Sequence, residues 1–489
     1  MRAALAVLLA VAVTVSCTSA GEGGPPSSQA THLSSRPAST ATSATGSPAP
    51  ATSSPAASAG PSAPVMTAVA DWPTYHGNNQ RTGLSTTLRP VHSALRRIWS
   101  VPLDGAVYGS PVVVNGNKIV ATENNTVYRI YSNRVVWKKH LGTPVPRSSL
   151  PCGNINPLGI TGTPAFDKAK STVIVVAELA NPIRHVAFGL DPTTGAQRWS
   201  RNVDVPTSVT GIEPKAMQQR GALIVSGRRV YIPYGGLAGD CSAYRGSVVG
   251  VNLDSPSGSL SHFTVPTARE GGIWTPPGPA ENPGGGLLVS VGNGASGADD
   301  PTGPYDYSDS VLKLAGDRIQ DSFSPSTWRE DNRVDADLGS QGPAIVGNWV
   351  FIAGKSGTAY LLNRAALGGI GGQVSQASLC RSFGGTAVSG SVVYVPCTDG
   401  LCAVRINTDG TMTVLWHAAS GVTGSPVVGG GRVWALDTGA GALHMLDPAT
   451  GADRGSISVG SVTRFATPAL WYNAVLVGTV SGIVAYNWT

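Results

Sequence analysis

The sequence from Asp71 onwards consists of eight similar segments, and this repetition restricts the possible folds more than any other feature. Each segment opens with small residues, often including a proline, and continues with β-branched runs separated by turns. The eight openings are Gly109-Ser110-Pro111, Gly162-Thr163-Pro164, Arg220-Gly221-Ala222, Gly272-Ile273-Trp274, Gly342-Pro343-Ala344, Gly385-Thr386-Ala387, Gly424-Ser425-Pro426 and Ala466-Thr467-Pro468. Repeats of about 40–60 residues with several short strands each are typical of β-propellers. The sequence therefore predicts an all-β propeller.

The first segment shows the pattern most clearly. We expect four strands in it, at Ser110–Asn115, Lys118–Thr122, Val127–Tyr131 and Arg134–Lys139. Asn115-Gly116 is a strong hairpin signal and supplies the turn between the first two strands. The 62 glycines and 36 prolines of the chain also favour short strands and turns over long helices.

The last segment indicates how the ring closes. Ala466–Trp488 contains only three strand-like runs, whereas a spare run, Arg97–Leu103, precedes the first segment. Pairing the two ends of the chain leaves no open sheet edge at that point. We therefore predict an eight-bladed propeller. Seven blades are the alternative if the irregular third or fourth segment is divided differently.

The N-terminal part of the chain reads as an export signal and a tether. Ala3–Val15 is an apolar stretch of signal-peptide length, and Thr14-Val15-Ser16-Cys17 resembles a bacterial lipobox. On this interpretation residues 1–17 are a signal peptide, and the lipidated Cys17 anchors the exported protein to the outer face of the cell membrane. Ordinary cleavage near Ser19 or Ala20 is the alternative. Residues 18–66, rich in Ala, Ser, Thr and Pro, are expected to be a disordered tether that precedes the propeller at 67–489.

Composition excludes several classes of function. Charged residues make up only 13% of the chain, which argues against a nucleic-acid binder, because such a protein needs basic stripes to neutralise phosphates. No nucleophile-elbow, zinc-protease or phosphate-loop motif is present. A Cys-x-x-Cys-His motif is also missing, so the sequence encodes no covalently bound c-type haem.

Five cysteines follow Cys17, and an exported protein is expected to form disulfides. Cys152 and Cys241 belong to neighbouring blades, and Cys380 and Cys397 flank one strand pair of the sixth blade. We favour these two pairs, with Cys402 reduced. The spacing also allows Cys397 to pair with Cys402.

Several turns and outer strands resemble the repeats of quinoprotein-type propellers. Asp-x-x-Thr-Gly turns occur at Asp191–Gly195 and Asp447–Gly451, outer strands often carry tryptophan, and Asp71–Gly83 contains a similar Trp-x-x-x-x-Gly stretch. The resemblance covers residues 71–489. It implies the propeller fold, which serves both redox enzymes and non-catalytic assembly scaffolds.

Four motifs between residues 271 and 364 resemble the PQQ-dependent alcohol dehydrogenases in order and blade position. They are Gly271-Gly272-Ile273-Trp274, Gly292-Asn293-Gly294, Asn332-Arg333-Val334-Asp335-Ala336-Asp337 and Lys355-Ser356-Gly357. The resemblance implies that Trp274 stacks under the quinone, that Asn293 binds calcium and that Lys355 hydrogen-bonds the quinone. It implies Asp335 or Asp337 as the catalytic base.

The sequence also differs from the pattern of these dehydrogenases. The dehydrogenases take a second calcium ligand from a Glu before an Arg-Gly pair. Here Arg245-Gly246 is present, but Cys241 occupies the aligned position and Asp240 is the nearest carboxylate, so Asp240 becomes the candidate ligand. The adjacent cysteines of those enzymes are absent, and the sequence does not indicate which residue replaces their arginine.

Two main hypotheses follow. The first is an extracytoplasmic, lipid-anchored propeller with a PQQ and calcium site that oxidises a small alcohol. The second is a non-catalytic propeller scaffold, similar to the outer-membrane assembly propellers, that binds envelope proteins or glycans. A sensor of an extracellular polymer is a third option.

Overall fold

The computed structural model describes residues 70–206, 212–418 and 421–488, and these residues form an eight-bladed β-propeller. Each blade contains a sheet of four antiparallel strands, so the predicted fold class and number of blades are confirmed. The predicted signal peptide, Cys17 and the predicted tether lie outside the described residues. None of the described helices is long and apolar enough to cross a membrane.

The blades follow one another in chain order. From the axis outwards, their strands are Val112–Val114, Asn117–Ala121, Thr126–Tyr131 and Arg134–His140 in blade 1; Ala165–Asp167, Thr172–Leu179, Arg184–Leu190 and Gln197–Asn202 in blade 2; Ile224–Ser226, Arg229–Gly236, Ser247–Asn252 and Ser261–Thr264 in blade 3; and Ala280–Glu281, Leu287–Val291, Ser310–Ala315 and Arg318–Ser324 in blade 4. Those of the other half are Ala344–Val346, Trp349–Ala353, Thr358–Asn363 and Ser375–Ser378 in blade 5; Ala387–Ser389, Val392–Cys397, Gly400–Ile406 and Met412–His417 in blade 6; Val427–Gly429, Arg432–Asp437, Ala442–Leu446 and Asp453–Ser458 in blade 7; and Ala469–Trp471, Ala474–Thr479, Gly482–Asn487 and Arg96–Pro102 in blade 8.

Short elements supplement the blades. Three two-residue strands extend individual sheets: Leu84–Ser85 in blade 7, Met217–Gln218 in blade 3 and Gly369–Ile370 in blade 4. The described helices are the α-helix Trp328–Arg333 and the 3₁₀ turns Tyr75–Gly77, Arg147–Ser149, Pro214–Ala216 and Leu338–Ser340.

Blade packing explains the two burial patterns of the strands. Every residue of Thr172–Leu179 is buried, because the second strand of a blade is covered by a neighbouring blade on both faces. The outermost strand of the same blade, Gln197–Asn202, alternates between exposed and half-buried residues.

Outer-strand tryptophans join one blade to the next. The indole Nε1 of Trp137 in blade 1 donates a hydrogen bond to the Pro192 carbonyl in blade 2, at 3.2 Å. Gly195 follows in that turn with a positive φ of 74°, and a Cβ there would lie 2.7 Å from the Trp137 ring. Trp416 repeats the contact with Pro448, at 3.1 Å. The Asp-x-x-Thr-Gly turn therefore needs its glycine both for its backbone conformation and for space.

The ring closes as the sequence predicts. Arg96–Pro102 pairs antiparallel with Gly482–Asn487, so the outermost strand of blade 8 comes from the beginning of the domain. Nearby, the rings of Trp434 and Trp488 stack with their centroids 5.6 Å apart. Closure covers apolar surface that an open stack of blades would expose to water.

The segment before the closing strand contacts the inner strands of several blades, a feature that the sequence did not reveal. Its first part pairs Trp72 with Val113 of blade 1. In its later part, the Thr82 carbonyl accepts a hydrogen bond from the Val388 N–H of blade 6. The Gly83 carbonyl accepts one from the Val428 N–H of blade 7. We call residues 71–91 the crossing segment.

Arg81 holds the middle of the crossing segment in place. Its buried guanidinium donates to the carbonyls of Leu223 in blade 3 and Pro279 beside blade 4, both at 3.0 Å. It also donates to Thr74 Oγ1 at 2.7 Å and to the Tyr75 carbonyl at 3.3 Å. Burial lowers the pKa of Arg81 to about 9, so the group remains a cation at neutral pH.

Both favoured disulfides are present. Cys152–Cys241 joins a loop after blade 1 to a loop of blade 3, with the two Cα atoms 6.0 Å apart. Cys380–Cys397 joins the end of blade 5 to the second strand of blade 6, with a Cα separation of 5.6 Å. Cys402 is buried and forms no disulfide within the described part of the chain.

We predict that Arg81→Ala lowers the free energy of unfolding by about 3 kcal/mol, because four buried acceptors lose a charged donor. Urea unfolding followed by tryptophan fluorescence measures this change. The matched control is Arg89→Ala, which removes an exposed guanidinium that stacks 4.2 Å from the Tyr472 ring centroid. Arg89→Ala should lower the free energy of unfolding by less than about 1 kcal/mol. Equal losses in the two variants would show that Arg81 does not hold the segment.

Candidate functional site

A central cavity of about 600 Å³ lies where the inner strands of several blades begin. The crossing segment contacts the inner strands further along the chain than the cavity does, at Val113 of blade 1 and Val388 of blade 6. Residues from blades 1, 3, 4, 5, 6 and 8 and their connecting loops line the cavity. All six candidate site residues lie on its walls, namely Asp240, Trp274, Asn293, Asp335, Asp337 and Lys355.

Lys355 is the centre of one wall. Its ammonium contacts the carboxylates of both Asp335 and Asp337, and Nζ lies 2.7 Å from Asp337 Oδ2. Asn293 Nδ2 donates to Asp335 Oδ1 at 2.6 Å. The structure therefore brings four of the predicted residues into one hydrogen-bonded group, although they come from two blades.

Local structure explains this meeting. The helix Trp328–Arg333 ends before Asp335, whose positive φ of 56° turns the chain back towards the cavity. Lys355 follows the second strand of blade 5, and its backbone N–H donates to the Asp337 carbonyl at 3.1 Å. The side chains of Lys355 and Asp337 are 12% and 1% exposed, whereas that of Asp335 is 69% exposed.

Burial and charge act in opposite directions in this group. Burial favours the neutral form of Lys355, but Asp337 and Asp335 outweigh it and raise the pKa of the amine. Burial raises the pKa of the Asp337 carboxyl, and Lys355 opposes this increase. Two buried oxygens, Asn293 Oδ1 and Asp337 Oδ1, have no hydrogen-bond donor among the described residues. A bound group or water with donors would satisfy both oxygens.

Asp240 and Glu270 continue the acidic side of the cavity. Tyr244 Oη donates to Asp240 Oδ1 at 2.5 Å, next to the Cys152–Cys241 disulfide. Burial raises the pKa of Glu270 to about 7, although Arg269 opposes this effect. Glu270 was not a candidate from the sequence, because a single carboxylate before two glycines matches no motif.

Trp274 is half-buried beside the acidic wall. The Lys355 ammonium lies 5.9 Å from its ring centroid, and the Phe465 ring lies 6.1 Å away at 58°. A Cβ on Gly235 would approach Trp274 Cβ to 2.6 Å, so the glycine leaves room for this tryptophan. Trp274 thus presents an aromatic surface to the cavity, as the predicted role of a stacking floor requires.

Arginines and phenylalanines form the other side of the cavity. Arg220, Arg381 and Arg464 all line it, together with Phe383 and Phe465. The guanidinium carbon of Arg220 lies 4.6 Å from the Phe465 ring centroid, and that of Arg464 lies 4.6 Å from the Phe383 centroid. Burial lowers the pKa of Arg220 to about 10, so it is still charged near neutral pH.

These arginines were missed because each stands alone in a connection between strands. The sequence did contain a signal for two of these arginines, namely their positions relative to the repeat openings. Arg220 opens the third repeat, and Arg464 comes two residues before the opening of the eighth. The openings lie at the start of inner strands, so residues there face the axis.

The walls fit an anionic aromatic molecule better than they fit a calcium ion. Three guanidiniums that have no carboxylate partner among the described residues suit carboxylate groups, and Trp274 adds an aromatic surface to the cavity. Calcium requires six to eight oxygen ligands. In the described residues, no three carboxylates of this cavity bring their oxygens together, and two of the carboxylates already form ion pairs with Lys355. Asn293 Oδ1 and Asp337 Oδ1 remain the free oxygens.

Comparisons with known proteins agree with the architecture. A family model described as outer membrane protein assembly factor BamB matches residues 92–252. Residues 92–252 therefore resemble PQQ-like β-propeller repeats. A search of curated protein sequences gave no match.

Solved structures share the fold of these PQQ-like repeats. The crystal structure of BamB from Moraxella catarrhalis is 16% identical, with a TM-score of 0.55, and the match covers 81% of this chain and all of that one, 100%. The computationally designed protein Ika8 is 13% identical, with a TM-score of 0.50 and the same coverage of 81% and 100%. At these identities the similarity concerns the fold alone.

We predict that Lys355→Met destabilises the PQQ-like propeller more at about pH 7 than at about pH 4. Without the ammonium, the folded-state pKa of Asp337 rises further above its unfolded value. The folded state then holds a proton that the unfolded state loses first, so stability falls as pH rises through this interval. The loss should reach about 3 kcal/mol near neutral pH. Thermal unfolding at the two pH values measures it.

The double variant Lys355→Met/Asp337→Asn is the matched control, because it removes both members of the buried pair. Its loss of stability relative to the unmodified protein should not grow between the two pH values. A pH-dependent loss of equal size in the double variant would assign the effect to a different group.

Proposed function

We propose that the central cavity binds a planar molecule with several anionic groups, and that PQQ is the member of this class to which the sequence points. The observation that carries the proposal is that Arg220, Arg381, Arg464 and Lys355 line the same cavity as Trp274. Three of these cations are already held in place, Arg220 and Arg464 by aromatic rings and Lys355 by its ion pairs, so an anion can bind them without costly rearrangement.

Each wall would have a distinct task. The guanidiniums of Arg220, Arg381 and Arg464 would hold carboxylates, for which planar two-pronged donors are well suited. Trp274 would support the ring plane. When bound, PQQ supplies an acceptor for the hydride of an alcohol. The exposed Asp335 would take the hydroxyl proton, and the buried Asp337 would keep the Lys355 ammonium in position.

A non-catalytic scaffold is the second candidate function. The match of residues 92–252 to the BamB family model supports it, since that model describes an assembly factor. In this case the rim and loops of the propeller would bind an envelope protein or a glycan, and no redox step would occur.

Both candidate functions place the protein outside the cytoplasm. Supporting this location are the apolar stretch Ala3–Val15, the lipobox-like Thr14–Cys17 and the two disulfides, which form in oxidising compartments. We propose that Cys17 carries the lipid anchor. The substrate alcohol and the electron acceptor belong to the first candidate function only.

Quinone binding separates the two functions. We predict that purified residues 67–489 bind PQQ with micromolar or tighter affinity, measured by titration of the protein's tryptophan fluorescence. Trp274→Ala should weaken binding by about tenfold or more, because stacking on an aromatic ring contributes roughly 1–3 kcal/mol. Arg220→Gln should have a similar effect through loss of a charged hydrogen bond.

Trp471→Ala is the matched control, since Trp471 stacks with Lys118 and does not line the cavity. Its affinity for PQQ should match that of the unmodified protein. Absence of saturable binding at micromolar PQQ would refute the quinone proposal and favour the scaffold. Binding without reduction of a dye by alcohols would limit the proposal to ligand binding.

The pH dependence of binding offers an independent test of the site. Glu270 has a pKa of about 7, so raising the pH from about 6 to about 8 adds a negative charge to the cavity. Lys355 stays charged across this interval because its pKa is raised. We expect the dissociation constant for PQQ to increase about fivefold over the interval. In Glu270→Gln the dissociation constant for PQQ should be the same at both pH values. If the constant still increased with pH in this variant, Glu270 would be excluded as the titrating group.

A further inference from the structure

The outermost strands of blades 8 and 1 form a strongly basic surface. Arg96–Pro102 and Arg134–His140 contain five basic residues and no acidic ones. The five are Arg96, Arg97, Arg134, Lys138 and Lys139. We call these two strands, together with Tyr131, the basic facet.

The other blades lack such a surface. The outermost strands of blades 3 to 7 contain either no Lys, Arg, Asp or Glu, or one basic and one acidic residue each. In blade 2, Arg198 pairs with Asp191 at 2.6 Å, and Arg201 is half-buried. Residues 89–202 contain 14 Arg and Lys against 5 Asp and Glu, an excess of nine that is larger than the excess of six for the whole chain.

The charges of the facet are available to a partner. Arg97, Arg134, Lys138 and Lys139 form no ion pair with any carboxylate of the described ranges. Arg96 hydrogen-bonds the neutral Asn487 side chain, at 3.2 Å. All except Lys139 are exposed.

Exposed apolar side chains accompany these charges. Ile98, Tyr131, Val135 and Val136 are 39%, 59%, 41% and 50% exposed. They are four of the nine large apolar side chains that are exposed in the described chain. Exposed apolar side chains among unpaired basic ones are the combination found on proteins that bind at the interface of anionic membranes.

The shape of the ring favours a flat partner. Neighbouring blades are adjacent corners of a regular polygon, and a plane touches two adjacent corners at once, whereas a third blade turns away from it. The basic facet occupies two adjacent blades. We propose that it docks on the surface of an anionic phospholipid bilayer, with the arginines and lysines at the headgroups and the four apolar side chains at the interface.

The position of the facet in the sequence is consistent with docking on a membrane. The first facet strand begins at Arg96, about thirty residues after the predicted tether ends at residue 66. An anchor at Cys17 would keep the facet near a membrane and raise its effective concentration there. The proposal does not depend on what the central cavity binds.

Vesicle binding tests the proposal. All blade strands lie between residues 84 and 487, so residues 67–489 contain the complete ring. This protein is sedimented with vesicles of phosphatidylglycerol and phosphatidylcholine, or of phosphatidylcholine alone, at low salt. We expect binding to the anionic vesicles only, with a loss of at least about tenfold in apparent affinity for Arg97→Glu/Lys138→Glu. Val136→Ser should weaken binding by about threefold.

The matched control is Arg318→Glu/Arg405→Glu, which makes the same charge change at exposed positions of blades 4 and 6. It should bind almost as well as the unmodified protein. Equal losses in the two double variants, or equal binding to both kinds of vesicle, would overturn the proposal. Facet-dependent binding of poly-L-glutamate without vesicle binding would assign the surface to an acidic polypeptide instead. Circular dichroism verifies that each variant is folded.

Discussion

No blade of this protein can cover both of its own faces, and this requirement governs the rest of the structure. Inner strands such as Thr172–Leu179 are buried throughout because blades lie on either side. The tryptophan of one outer strand fills the space left by the turn glycine of the next blade, as Trp137 does at Gly195. A row of blades with two free ends would leave such surfaces in water, so the chain has to form a ring.

The ring also determines where chemistry can occur. Each blade begins at the axis, so residues far apart in sequence meet around one cavity. Its two sides differ in electrostatic character. On one side the Lys355 ammonium is held between Asp335 and Asp337. On the other side, Arg220 and Arg464 stack on aromatic rings and have no carboxylate partner within the described residues. Positive charge is therefore compensated on one side and available on the other, which favours an anionic ligand.

Much of this arrangement could be predicted from the sequence. Repeat openings and turn motifs predicted eight blades, and the missing strand of the last repeat predicted the pairing that closes the ring. The resemblance to the PQQ-dependent alcohol dehydrogenases implied a shared site for Trp274, Asn293, Asp335 and Lys355, and the structure places all four on one cavity. Their roles towards a quinone remain predictions.

Other features had no local signal. The crossing segment contains only one two-residue strand, and its contacts are hydrogen bonds with the backbone of distant blades, so no periodic pattern marks it. Single arginines become a cluster only after the ring brings their loops together. The basic facet was hidden by the low overall charge, because the residues outside 89–202 contain 20 Lys and Arg against 23 Asp and Glu and so offset part of its charge.

The pairing of Arg96–Pro102 with Gly482–Asn487 has a consequence for biosynthesis. The strand that leaves the ribosome first among the blades must wait for the strand that leaves last. Until then it is an unpaired edge with exposed apolar residues, vulnerable to association with other nascent chains. Completion of the ring is therefore a late, long-range step. A chain truncated near its C-terminus would keep seven blades, but its ring would remain open.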